Sequence, residues 1–216
     1  MLNFRHLTDL AIGLVFPFAF ALVFAGEQED ESMHPKSQVV EQDRSQSATQ
    51  AAAVIQLKSG LQVGETTTSF DVHDVTGPAQ GESICYACDY GTRPVINVFI
   101  RNVTPENTRL IQKLDQMAAQ HMDDHLKVFV VLLSMDPDAD RKQLVELHQR
   151  CGLVHVPLTI FDGITGPKNC KINQHAAETV VMWNKAKVKS NHTFAAKQLN
   201  DEAIAAILND VPKILE

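Results

Sequence analysis

The apolar positions of this chain fall into an alternation of buried-strand runs and one-sided helices. Pro94–Ile100, PVINVFI, is apolar and β-branched almost throughout, the pattern of a strand covered on both faces of a sheet. Thr104-Pro105 then opens a helix: threonine caps, and proline suits a first turn where its missing N–H costs nothing. Leu110, Ile111, Leu114, Met117, Ala118 and Met122 recur at three and four, so one helix face packs inward. Val128–Leu133 is a second buried strand, and Asp136-Pro137 opens another helix with Leu144, Leu147 and Cys151 inside and Gly152 closing it. Val156–Ile160 and Thr179–Trp183 read as third and fourth strands, the latter turning at residues 184–186 into Lys187–Phe194. A last helix, capped by Asn200 or Asp201, turns Ile204, Ile207, Leu208 and Val211 inward.

Ahead of these elements, Leu61–Gly81 alternates at Phe70, Val72 and Val75 before Gly77-Pro78, which predicts a short strand ending in a hairpin. Ser83–Tyr86 is its expected returning partner. Strands alternating with helices predict an α/β domain: a central mixed sheet, helices on both faces and an N-terminal β-hairpin extension.

The N-terminus carries a different pattern. Residues 1–25, MLNFRHLTDLAIGLVFPFAFALVFA, have a weakly positive start, an uncharged apolar run and small residues at Val23-x-Ala25, the form of a signal peptide. The alternative is an uncleaved anchor, although the run is shorter than the roughly 20 residues of a spanning helix. After cleavage no stable membrane insertion is expected. Residues 26–53 are rich in Glu, Gln, Ser and Asp and hold little that a core could bury, so they read as a disordered polar linker. The globular domain is expected over residues 54–216. Export to the periplasm or the extracellular space implies an oxidising compartment, where paired cysteines tend to be disulfides.

Charge narrows the partners. With Lys+Arg 19 against Asp+Glu 26, the net charge of −7 argues against nucleic acid or an anionic lipid surface. The four cysteines are Cys85, Cys88, Cys151 and Cys170, too few for a disulfide scaffold in 216 residues.

Cys85-Tyr86-Ala87-Cys88 is the strongest chemical signal. As candidate catalytic residues, Cys85 and Cys88 form a dithiol: one thiolate attacks, the other resolves, and a disulfide passes to a protein client or is opened by a thiol reductant. The competing reading is a structural disulfide that stiffens the approach to the core strand, in a chain acting as a non-catalytic binding or scaffold module. In this reading the pair stands at the opposite pole from the Thr104 helix, and so gains nothing from that helix's dipole. A zinc site needs two further ligands, and no second Cys-x-x-Cys exists. Asp89 follows Cys88 where haem attachment wants histidine. No cofactor or metal is therefore indicated. His121 and His125 stand one turn apart, but Asp123-Asp124 between them marks a solvated face. Cys151 and Cys170 flank the third strand and read equally as a pair or as single thiols.

Several motifs together resemble a known family. Val63-Gly64-Glu65 through Phe70-Asp71-Val72, Asp74-Val75 and Gly77 is similar to the G-x-x-x-P-x-F-x-L-x-D-x-x-G opening of redoxins, with Thr67 or Thr68 at their proline. Val130–Asp136 resembles their second core strand with its S-x-D end, and His148–Gly152 through Pro157-Leu158 and Asp162-Gly163 resembles their helix end and following strand. In order and spacing, residues 61–215 resemble the thioredoxin fold in its redoxin and peroxiredoxin branch (the alkyl hydroperoxide reductase and thiol-specific antioxidant superfamily). The resemblance implies a thioredoxin-like sheet and thiol–disulfide or peroxidase chemistry at the start of the helix after the first core strand. There Thr104 stands at the nucleophilic cysteine and Asn107 at its resolving partner, while Ala177-Glu178-Thr179 stands where the family's cis-proline is expected. The usual active-site cysteines are thus replaced, and peroxidase activity is the weaker expectation.

Overall fold

The computed structural model describes residues 57–216. The expected signal peptide (1–25) and polar linker (26–53) lie outside the described residues. Seven strands form one mixed sheet: β1 (Val72–Asp74), β2 (Ser83–Ile84), β3 (Val95–Ile100), β4 (Lys127–Ser134), β5 (Leu158–Asp162), β6 (Glu178–Asn184) and β7 (Lys187–Phe194). Their order is β2-β1-β5-β4-β3-β6-β7, with β3/β4 and β4/β5 parallel and the other pairs antiparallel. The expected β-hairpin extension is β1 with β2, paired at Val72–Ile84.

The strand pattern is obeyed residue by residue. Every position of Val95–Ile100 is buried, because successive side chains enter two different cores. Ile96, Val98 and Ile100 join Val128, Val130, Leu132, Val180 and Met182 on one face. Val95 and Phe99 join Phe129, Val131, Leu133, Val181 and Trp183 on the other.

Helices lie on both faces, but unequally. The first core receives Leu110, Ile111 and Leu114 of α2 (Pro105–Gln120), Leu144 and Leu147 of α3 (Pro137–Cys151), Ile204 and Ile207 of α4 (Asp201–Asn209), and Ile214 of α5 (Pro212–Leu215). The second face is covered by α1 (Tyr86–Tyr90), by Leu61 and Phe70 of the entering chain, and by Cys170 and Ile172 around a 3-10 turn (Lys168–Cys170). Extended segments can do this because their polar groups are tied down. Ser59 Oγ meets Thr179 Oγ1 at 2.7 Å and takes the Asn173 N–H at 3.0 Å, while Asn191 Nδ2 donates to the carbonyls of Ser59 and Leu61.

Two expectations are corrected. The returning strand stops at Ile84 rather than Tyr86, because Cys85 caps α1, whose Tyr86 and Tyr90 share one face at i and i+4 and bury their rings. Met122 does not join the inner face of α2: the helix closes at Gln120 with His121 as its C-cap, and Met122 is exposed. The caps at Asp136, Gly152 and Asn200 form as expected. Among the described residues, no helix is long and apolar enough to cross a membrane.

Candidate functional site

Cys85 and Cys88 are joined as a disulfide. Cys85 is half-buried and Cys88 exposed, so the bond is open to a partner from the Cys88 side. Cys85 is the N-cap of α1, and its Sγ accepts the backbone N–H of Cys88 at 3.2 Å. The pair thus heads a helix of its own, a feature missed from the sequence because five residues are too few to show a period. The Tyr-x-x-x-Tyr spacing was its one available signal. Gly91 closes this helix with φ +58°, a conformation that favours glycine.

Buried aromatic packing holds α1 in place. Tyr86 stacks on Phe129 with centroids 5.3 Å apart, Tyr90 lies edge-on to Phe129 at 6.0 Å, and the Tyr86 hydroxyl donates to Asp74 Oδ2 at 2.9 Å. Burial, and then the hydrogen bond to Asp74, push the Tyr86 pKa well above the ordinary phenol value, so Tyr86 remains a donor.

At the start of α2, Thr104 and Asn107 form a capping box. Thr104 Oγ1 accepts the Asn107 N–H at 3.2 Å, and Asn107 Oδ1 accepts the Thr104 N–H at 2.9 Å. The buried Asn107 also donates through Nδ2 to the Asn102 carbonyl at 2.8 Å and to Glu178 Oε1 at 3.4 Å. The Thr104 oxygen serves the helix end. A cavity of about 450 Å³ opens beside it, lined by Thr104, Ala177, Glu178 and Lys197 among others, and neither Cys85 nor Cys88 contributes to it. The two candidate places are therefore separate.

No family model matches the sequence, and no curated protein does. Solved structures match well. A protein from Chlorobium tepidum described as thiol:disulfide interchange protein DsbE superposes with TM-score 0.57 at 14% identity, covering 72% of this chain and 99% of that one. A Bacteroides thetaiotaomicron protein described as a protein disulfide isomerase gives TM-score 0.54 at 14% identity, over 74% and 94% of the two chains. The yeast mitochondrial 1-Cys peroxiredoxin gives 0.50 at 12% identity, over 68% and 75%. The chain has the thioredoxin fold.

Within this thioredoxin fold, Cys151 and Cys170 are free thiols rather than a pair. Cys170 is buried beside Thr68 Oγ1 at 3.7 Å, and burial pushes its pKa up to about 11, which makes it a poor nucleophile. Trp183 sits in the second core, edge-on to Phe129 at 6.2 Å. His121 pairs with Asp124 at 2.8 Å. Among the described residues, no group of three or more His, Cys, Asp or Glu side chains converges as a metal site does.

Glu178 is the residue that sequence reasoning did not single out as a candidate. It is 5% exposed, its Oε2 has no hydrogen-bond partner, and desolvation raises its pKa above the ordinary glutamate value. A carboxylate heading the otherwise apolar run Thr179–Trp183 was the available signal.

Proposed function

We propose that this is an exported thioredoxin-fold protein of the redoxin type that exchanges thiols and disulfides at Cys85 and Cys88. The observation that supports this best is the position of the disulfide: exposed at Cys88, and capping a helix at Cys85 whose sulfur already accepts a backbone N–H. A client thiolate attacks Cys88 Sγ, and Cys85 leaves as a thiolate that keeps the Cys88 N–H as its donor. A second client thiolate then attacks the client sulfur of the mixed disulfide and releases Cys88. The client loses two electrons as its disulfide forms, and the Cys85/Cys88 pair gains them. Run backwards, the reduced pair opens a client disulfide; the relative potentials set the direction. The names of the solved neighbours, DsbE and protein disulfide isomerase, and the signal-like residues 1–25 fit this reading. A peroxidase reading lacks a sulfur at the start of α2.

A second reading has its own observation. Tyr86 and Tyr90 seal the second core, so the disulfide also closes a helix on which packing depends, as in a non-catalytic binding or scaffold module. One pair of measurements separates them. Insulin reduction by the full chain should fall to background in Cys85→Ser and in Cys88→Ser, and glutathione equilibration should give a potential between about −120 and about −270 mV. Unchanged turnover in both variants overturns the exchange reading. A potential below about −300 mV favours the scaffold.

A further inference from the structure

Beside the cavity at the start of α2 lies a buried polar group that the fold does not use. Glu178 lines the cavity, and its Oε2 is buried without a partner while Oε1 faces Asn107 Nδ2. A buried carboxyl oxygen left unpaired is destabilising, and such atoms in a native protein call for an explanation. The main chain beside it is already committed. Ala177 N–H donates to the Phe194 carbonyl, Ala177 O accepts the Arg101 N–H, and Ala176 O accepts Arg101 Nε. A ligand entering here therefore meets side chains rather than a free backbone edge.

The charged groups lining the cavity are Glu106 and Arg109 of α2, Lys197 ahead of α4, Asp201 in its first turn, and Glu178 itself. Arg109 is occupied, at 3.8 Å from Glu106 and 3.3 Å from Asp201. One buried carboxyl oxygen thus lacks a donor, and the guanidinium lining the cavity is already held by two other carboxylates. A ligand with N–H donors and a positive charge supplies what is missing and favours the carboxylate form of Glu178. We propose that this cavity binds a ligand bearing a primary ammonium group, with Glu178 Oε2 as its acceptor. An ammonium offers three donors, and the charge-assisted bond to a carboxylate is stronger than a neutral one. The source of the amine is either a free small molecule or the lysine side chain of a protein; both present the same chemistry.

Burial disfavours the Glu178 carboxylate and an ammonium partner favours it, so binding is linked to deprotonation of Glu178. Affinity should therefore rise with pH through the titration of the empty site. Calorimetric and NMR titrations of the full chain with n-butylammonium chloride test this, with butyramide and tetramethylammonium as controls that lack the charge or the N–H donors. The expected result is saturable binding of n-butylammonium alone, with a heat that depends on the ionisation enthalpy of the buffer, weakened about tenfold or more in Glu178→Gln. An acetylated lysine tripeptide amide forms the second arm: tighter binding than n-butylammonium assigns a protein side chain, weaker binding a free amine. Should Glu178→Gln fail to fold, Glu178→Asp, which keeps the charge but shortens its reach, is expected to weaken binding as well. Absence of saturable binding, equal binding of either control, or affinity unchanged in a folded Glu178 variant overturns the proposal.

Discussion

The Tyr86 hydroxyl donates to Asp74 Oδ2 at 2.9 Å, joining the residue after the first sulfur to a fully buried carboxylate on β1. Asp74 also accepts the N–H groups of Gly77 at 2.7 Å and Ala79 at 2.8 Å, so it organises the turn of the hairpin and the helix that carries the disulfide. Tyr86→Phe keeps the ring on Phe129 and removes one donor from a buried acceptor. It should cost about 1–3 kcal/mol in urea unfolding, with unchanged far-UV dichroism. Reduction of the Cys85–Cys88 bond by dithiothreitol should quicken as α1 loosens. Stability equal to the parent would show that Asp74 does not hold the helix.

Gly77 is demanded by the same contact. A Cβ there would lie 2.2 Å from the Tyr86 hydroxyl oxygen, 2.7 Å from Asp74 Oδ2 and 2.8 Å from Pro157 Cβ. Gly77→Ala should therefore cost about 1–3 kcal/mol through overpacking. Combined with Tyr86→Phe, which removes the nearest atom, the loss should be smaller than the sum. A double-mutant cycle by urea unfolding measures this, and strict additivity would mean that the two residues do not compete for the space.

The elements that announced themselves in the sequence are those whose pattern is long. Val95–Ile100 and Val128–Leu133 are buried on both faces, and Leu110, Ile111, Leu114 and Ala118 keep the helical period, so sheet and helices could be read directly. Thr104 was legible as a cap, because Thr104-Pro105 states the helix start chemically. The helix under the cysteines was not legible, since Tyr86–Tyr90 makes little more than one turn and owes its place to Phe129 and Asp74, 43 and 12 positions away in sequence. Glu178 stood out in the sequence only as part of Ala177-Glu178-Thr179, at the expected cis-proline position. Its burial depends on Asn107 and on the crossing of α2, which no local pattern expresses.

Arg101 holds the segment that brings Glu178 to its place. Its guanidinium donates to the carbonyls of Ala176 at 2.7 Å, Ile164 at 2.5 Å and Asn173 at 3.0 Å. Residues 164–176 are thereby tied to the end of β3. Lysine cannot reproduce three donors in a planar fork, so Arg101→Lys and Arg101→Ala should behave alike. Both should be cut by trypsin after the exposed Lys168 and Lys171 about tenfold faster than the parent, because the segment opens locally. Equal cleavage rates would mean that the 3-10 turn and the Ser59 contacts hold the segment unaided.

The ionisation of Glu178 gives the domain a pH dependence of unusual sign. Burial raises its pKa above the usual 4.5, Glu106 adds to the rise, and the hydrogen bond from Asn107 opposes it. The folded state therefore holds this proton more tightly than the unfolded state does. The associated stability is fully present below the unfolded value and is lost as pH rises through the folded one, opposite to a salt-bridged carboxylate. Glu178→Gln keeps the shape and removes the titration. Relative to the parent, the variant should gain stability as pH rises from about 4 to about 8, by about 1.4 kcal/mol for each unit of displacement. Urea unfolding of both proteins across that range measures the difference. A difference that stays constant with pH would place the Glu178 carboxyl in a solvated setting, and would remove the reason for treating its unpaired oxygen as a binding group.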